Sequence, residues 1–286
     1  MPERVTVPSV RARKRKLGAT ALAMLTAYDT PTAICADRAG VDMLLVGDSL
    51  GHVVLGYDTA LHVSVADMVH HVGAVARAEP RAMIVADLPW LSYHTGSRDA
   101  VRNAAQLVRA GADAVKLEGC RPRVVDALVR AEIPVMAHLG VTPQSVRMIG
   151  NVDVHGQAER EAEQLGLDAV TMAQSGCFAI VLSCVAGSVA TRVTDLVDVP
   201  TIGFGAGPGC DGQVMIFHDL VGFGVDDPPY FARRYAATGT TIIEAVTAYC
   251  ADVRSGQFPS ESETYGTLTE SGVAQMTMSG PAGVSE

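Results

Sequence analysis

Three carboxylates close three consecutive apolar runs: Asp48 ends LLVGD, Asp87 ends IVAD and Glu118 ends VKLE. Runs apolar at nearly every position read as parallel strands buried on both faces, and neighbouring strands of one sheet lie about 4.8 Å apart. The three acids are therefore expected to converge within reach of one small ion. Left alone they would repel and push up one another's pKa values, a conflict that a hard divalent cation relieves. An all-oxygen donor set without His or Cys suits Mg²⁺. A single strand-end acid more often caps the following helix, but three in succession reverse that preference.

Around the acids stand a hydroxyl and an amine. Ser49 follows Asp48 directly, and Lys116 precedes Glu118 by two residues, so that Lys116 and Glu118 point to the same side of their strand. A lysine inside a barrel is costly unless it meets a carboxylate or an anionic substrate. Cation, lysine and hydroxyl together are what a 2-oxo acid requires, because its keto and carboxylate oxygens chelate a metal that also stabilises the enolate left by C3 deprotonation. His138, at the end of IPVMAHLG, is either a further substrate or cofactor contact or a satisfied structural histidine. IGFGAG (202–207) lacks the continuation of a dinucleotide loop and reads as close backbone approach at a strand end. The pair His70–His71 is expected on a helix surface, away from the strand ends.

Eight apolar runs, rich in Val, Ile and Leu, supply the elements that hold these residues: 21–29, 43–49, 82–90, 113–119, 133–140, 178–185, 200–207 and 213–220. Segments of helical period separate them, among them 63–78 and 97–112, the latter with Ser97 as its expected N-cap. Strand–helix alternation repeated eight times predicts a closed (β/α)8 TIM barrel, with an open doubly wound sheet as the structural alternative. Active sites of such barrels are built at the C-terminal ends of the strands, where the three acids stand.

With 22 Lys and Arg against 31 Asp and Glu, the net charge is −9 and the pI about 5.3. That balance argues against phosphate backbones and anionic membranes, so neither nucleic acid nor membrane is expected as a partner. The six cysteines are scattered without a C-x-x-C pair and read as free, buried or half-buried thiols of a reducing compartment. No run approaches the ~18 apolar residues of a spanning helix, and the basic start has no apolar stretch behind it, so a cytoplasmic location is expected. The domain reading is a basic N-terminal extension (1–17), a catalytic barrel (18–258) and a disordered Ser/Thr/Gly-rich tail (259–286). RARKRK (11–16) reads as a solvated helix start in preference to a small basic patch near a site.

The motifs also carry a resemblance. MLTAYD (24–29), LLVGDSLGHVVLGYDTALHVSVADM (44–68), VADLPWLSY (85–93), NAAQLVRAGADAVKLEG (103–119), HLGVTPQS (138–145), IGFGAG (202–207) and HDLVGF (218–223) resemble, in order, the ketopantoate hydroxymethyltransferase family. The resemblance spans about residues 18 to 258. It implies a barrel of the phosphoenolpyruvate mutase/isocitrate lyase type, assembled as a large homo-oligomer, typically a decamer. It implies Mg²⁺-dependent transfer of a one-carbon unit from 5,10-methylenetetrahydrofolate to 3-methyl-2-oxobutanoate, in pantothenate biosynthesis. It places metal contacts at Asp48, Asp87 and, partly through water, Glu118, and substrate contacts at Asp48, Ser49, Asp87 and Lys116.

Two departures bear on the chemistry. Where the family has a glutamate as catalytic base, in V-L-E-C-V, this chain reads VLSCV and places Ser183. A serine hydroxyl is far too weakly basic to take a C3 proton unaided, and general-base catalysis is worth about 10²–10⁴-fold. Nearby, the family's K-V-Q-G-R is replaced by DVHGQ (153–157), which removes two cations and introduces His155. Three readings follow. The first is hydroxymethyl transfer to this or a related 2-oxo acid, with His155 or a metal-bound hydroxide as substitute base. The second is a metal-dependent C–C lyase or isomerase working through a 2-oxo acid enolate. The third is a catalytically silent homologue that binds a 2-oxo acid.

Overall fold

A computed structural model describes residues 3–14, 18, 20–150, 156–224 and 228–265. Eight parallel strands close in chain order: β1 (Leu22–Thr26), β2 (Met43–Val46), β3 (Met83–Asp87), β4 (Ala114–Glu118), β5 (Val135–Gly140), β6 (Ala179–Ser183), β7 (Thr201–Phe204) and β8 (Gly212–Met215), with β8 pairing back onto β1. The expected (β/α)8 barrel is the observed architecture, and the open sheet is excluded by that last pairing.

Two apolar layers hold the barrel. Residues pointing outward from the strands pack beneath the helices, with Leu44, Ile84, Val115, Ala137 and Ile180 all buried. Those pointing inward form the barrel's own core, including Met43, Leu45, Met83, Val85, Ala114, Met136 and Val181. Alternation at a period of two then puts Asp87 above Val85, Lys116 above Ala114, His138 above Met136 and Ser183 above Val181. A polar layer thus lies on an apolar floor at the strands' C-terminal ends.

Several local expectations change. The helix over 97–112 runs Ser97–Ala110, but Gly96 (φ 137°) is its N-cap and Ser97 is its first residue. The hydroxyl of Ser97 donates instead to the Arg123 carbonyl. The last apolar run is strand only to Met215, then helix from Phe217, whose amide donates to Thr26 Oγ1. Of the histidine pair, His71 is half-buried and its Nδ1 lies 2.7 Å from the Tyr28 carbonyl oxygen. Cys35 is exposed rather than covered, and all six cysteines are free.

The basic start is not simply solvated. Helix Val7–Arg11 inserts Val10 into the barrel's inner core. Lys14 is buried, with Nζ 2.7 Å from Asp211 Oδ2 and 2.8 Å from the Thr194 carbonyl. Arg13 donates to the carbonyls of Thr20 and Ala21 and pairs with Asp42. Arg13 and Lys14 thus depart from the solvated reading, Lys14 by a pairing some 200 positions away that spacing cannot reveal. Arg11 is exposed as expected, and residues 15 and 16 lie outside the described residues.

The described residues up to 236 form one compact unit and those from 237 to 265 another; the tail expected to be disordered lies, from residue 266 on, outside the described residues. In the second, helix Thr238–Ser255 ends at Gly256 in the left-handed region (φ 75°) and carries no buried residue. No helix among the described residues is long and apolar enough to cross a membrane.

Candidate active site

The strand ends open into a cavity of about 470 Å³. Its polar end carries Asp48, Ser49, Asp87, Lys116, Glu118 and His138, and Ser183 stands on the same wall. Leu45, Val146, Val181, Phe204, Val214 and Met215 make the rest largely apolar, while His52 and Asp58 lie toward the exposed side. Every described candidate residue thus reaches one cavity. His155 lies outside the described residues.

Barrel stagger explains the convergence. The register pairs Asp87 with Lys116, Glu118 with His138 and Gly140 with Ser183, climbing two residues at each step. Side chains two apart on one strand and level on the next are brought around one rim. Asp48 enters from β2 through Gly47, where a Cβ would stand 2.9 Å from Ser49 Oγ and 3.5 Å from Asp87 Oδ2. The missing side chain lets the Asp48 amide donate to Asp87 Oδ2 at 3.1 Å. At Gly140, in the left-handed region (φ 92°), a Cβ would collide with the Ser183 carbonyl.

Lys116 is the only cation among the described buried groups of this rim. Its Nζ lies 2.8 Å from Asp87 Oδ1, an ion pair outside hydrogen-bonding angles, and 3.1 Å from His138 Nδ1. Burial alone would lower the Lys116 pKa, but Asp87, Glu118 and Asp48 together hold it above its ordinary value. His138 is driven down to about 3, by burial first and by the Lys116 charge second, and so is neutral. A neutral imidazole accepting from Lys116 at Nδ1 carries its own proton on Nε2.

The acids feel the opposite pressure. Burial, then the charges of Asp87 and Glu118, push Asp48 well above the carboxylate range. Burial pushes Glu118 up to about 7. Three carboxylates face one ammonium here, an excess of two negative charges when all are ionised. Among the described residues no three acidic, histidine or cysteine side chains stand grouped at metal-holding geometry. Lys116 occupies one oxygen of Asp87, and Gln144 occupies one oxygen each of Asp48 and Glu118. In donor type, burial and unneutralised charge the set fits a hard divalent cation, although the acids are engaged with protein partners instead of gathered around a point.

Three contributors were not singled out from the sequence. Gln144 donates from Nε2 to Asp48 Oδ2, Tyr93 donates to Gln144 Oε1, and the Tyr28 hydroxyl lies 2.8 Å from Ser49 Oγ. All three fall inside the quoted motifs HLGVTPQS, VADLPWLSY and MLTAYD, so the motifs hold the signal while the individual roles depend on contacts across the barrel.

Comparison with known proteins identifies relatives of the chain and of its fold. A family model described as ketopantoate hydroxymethyltransferase matches residues 4–261. A 3-methyl-2-oxobutanoate hydroxymethyltransferase of Moorella thermoacetica is 48% identical over 265 residues, covering 92% of this chain and 98% of that protein. One of Pyrobaculum aerophilum is 52% identical over 239 residues, covering 83% and 91%. Among solved structures, 2,3-dimethylmalate lyase, a member of the PEP mutase/isocitrate lyase superfamily, is similar in fold at a TM-score of 0.56, with 17% identity and coverage of 90% and 91%. A phosphonopyruvate hydrolase complexed with oxalate and Mg²⁺ gives 0.55, with 15% identity and coverage of 90% and 92%. With the family model matching almost the entire barrel and relatives near half identical along it, this chain belongs to the ketopantoate hydroxymethyltransferase family.

Proposed function

We propose that the protein transfers a hydroxymethyl group from 5,10-methylenetetrahydrofolate to 3-methyl-2-oxobutanoate, yielding 2-dehydropantoate. The observation that carries this reading is the division of one cavity into a buried rim of three acids and a lysine and an apolar wall. A small 2-oxo acid has the same two halves. Its carboxylate and keto oxygens suit Lys116 and Ser49, and its isopropyl group suits Val181, Phe204, Val214 and Met215.

The protein's own groups divide the work. Lys116, held charged by its three acids, offers positive charge where negative charge develops on the keto oxygen. His138 stays neutral beside it and keeps the ammonium oriented. A divalent cation, Mg²⁺ by donor chemistry, would be held by Asp48, Asp87 and in part Glu118, and would supply Lewis-acid stabilisation of the substrate enolate. The oxalate- and Mg²⁺-bound hydrolase of similar fold supports that pairing of a 2-oxo-acid mimic with magnesium.

Ser183 ends β6 at the cavity wall, flanked by Val181 and Phe204 and without an acid beside it on its strand. The chain is in this respect a divergent member of its family, and His155 is our candidate for the group that takes the C3 proton. Deuterium exchange at C3 of the 2-oxo acid, followed by NMR without folate, tests this: wild type exchanges and His155→Gln does not. Equal exchange in both assigns the proton to another group. We further propose a cytoplasmic homo-oligomer, with the family decamer as the expected state; sedimentation measures it directly. The lyase and silent-homologue readings predict, respectively, no folate-dependent product and no exchange.

A further inference from the structure

Gln144 reaches two of the three acids from the segment after β5, a strand that carries neither. It is buried in the turn Pro143–Ser145 that follows β5. Its Nε2 stands 2.8 Å from Asp48 Oδ2 and 3.0 Å from the Leu88 carbonyl oxygen. The Leu88 carbonyl only accepts, so the amide nitrogen must face it and Oε1 must face the Tyr93 hydroxyl, 2.7 Å away. The Gln144 backbone amide donates to Glu118 Oε2 at 2.9 Å. Tyr93 completes the loop by accepting from the Glu118 amide at 3.1 Å.

The side-chain amide of Gln144 therefore holds the carboxylate delivered by β2, its backbone amide holds the one delivered by β4, and the Tyr93 phenol ties that side chain to the Glu118 backbone. Asp48 keeps its other oxygen unengaged, and the other oxygen of Glu118 faces His138 Nδ1 at 3.4 Å. Every donor and acceptor of the Gln144 side chain has its partner, which fixes both the rotamer and the amide orientation. Turning either carboxylate would break a buried hydrogen bond.

We propose that Gln144, oriented by Tyr93, is the positioning residue that sets the affinity of this site for a divalent cation. It holds Asp48 and Glu118 so that their remaining oxygens serve one ion, and it does so without touching the ion. Partners of this kind, one shell out from a metal, typically change affinity by about 10–100-fold when removed. The inference rests on the reading that these acids hold a cation.

The test is Mn²⁺ binding to the full chain, titrated by electron paramagnetic resonance. Five proteins are compared: wild type, Gln144→Met, Tyr93→Phe, the double variant of these two and a core control, Leu107→Ala, with thermal unfolding measured for each. Gln144→Met keeps the length of the side chain and removes its amide. It is expected to weaken Mn²⁺ by about 10–100-fold, Tyr93→Phe by less, and the double variant by no more than Gln144→Met alone. Leu107→Ala is expected to lose stability and keep its Mn²⁺ affinity, which separates positioning from general loosening. If Gln144→Met does not fold, Tyr93→Phe carries the test by itself. Wild-type affinity in a folded Gln144→Met or Tyr93→Phe protein overturns the inference alone. Absence of Mn²⁺ binding by the wild type overturns both it and the metal reading beneath it.

Discussion

Lys116 Nζ lies 2.8 Å from Asp87 Oδ1, with both side chains at most 5% exposed. Their pairing is set by the register of β3 on β4, which makes the two residues direct neighbours. Removing one member of such a pair leaves an uncompensated buried charge, at a cost of about 3–5 kcal/mol. Lys116→Met is expected to lose stability of that order in metal-free urea denaturation and to recover part of it on adding Mg²⁺. Its turnover should fall by about 10²–10³-fold, as for loss of an electrostatic contact to developing charge. Stability unchanged without metal would mean that the acids are not ionised around Lys116.

Glu118 supplies a pH dependence of definite sign. Its folded pKa, about 7, lies above the ordinary carboxylate value. Between about pH 4.5 and 7 the folded protein keeps a proton that the unfolded chain has lost, so this group makes stability fall as pH rises through that window. A cation bound by ionised carboxylates competes with that proton. The rise in melting temperature produced by Mg²⁺ is therefore expected to grow from pH 5 to pH 7.5, and a flat or falling response would place the metal elsewhere.

Tyr28 is buried behind Ser49, and burial raises its pKa, so the phenol stays protonated. The phenol oxygen and Ser49 Oγ lie 2.8 Å apart and either can donate; with Tyr28 as the donor, the serine proton is left to be directed into the cavity. Tyr28→Phe removes one hydrogen bond of ordinary worth, about 1 kcal/mol. KM for the 2-oxo acid should rise by roughly fivefold with kcat little changed, and Ser49→Ala should abolish the difference. A fall in kcat at constant KM would contradict this role.

At Ser183, removal of the hydroxyl is expected to matter little. Ser183→Ala should keep turnover within a few-fold of wild type, whereas His155→Gln should lower it by about 10²–10⁴-fold. Steady-state rates of the two variants, measured side by side, decide between them. A collapse in Ser183→Ala with a healthy His155→Gln would reverse the assignment.

How far the sequence reveals this site depends on the range of the interactions. Asp48, Asp87, Lys116, Glu118 and His138 are legible because a period-two strand in a parallel barrel dictates which side chains face inward and where the strands end. The capping of 97–110 by Gly96 is not, because Ser97 looks the better cap until its bond to the Arg123 carbonyl is seen. Gln144 and Lys14 are hidden for the same reason. Each acts on a partner far along the chain, Asp48 in one case and Asp211 in the other, and no local pattern encodes that meeting. Spacing also foretells that Lys116 meets a carboxylate or an anion, but not that the cross-strand register makes that carboxylate Asp87 instead of its strand neighbour Glu118.

The central claim is that this rim turns a 2-oxo acid into a carbon nucleophile and hands it a one-carbon unit. Its most direct measurement is mass-spectrometric detection of 2-dehydropantoate from 3-methyl-2-oxobutanoate, 5,10-methylenetetrahydrofolate and Mg²⁺, with Asp87→Asn run in parallel. Steady product formation by the wild type and its loss in Asp87→Asn are expected. No product from a wild-type protein that demonstrably binds Mn²⁺ at the site would contradict it.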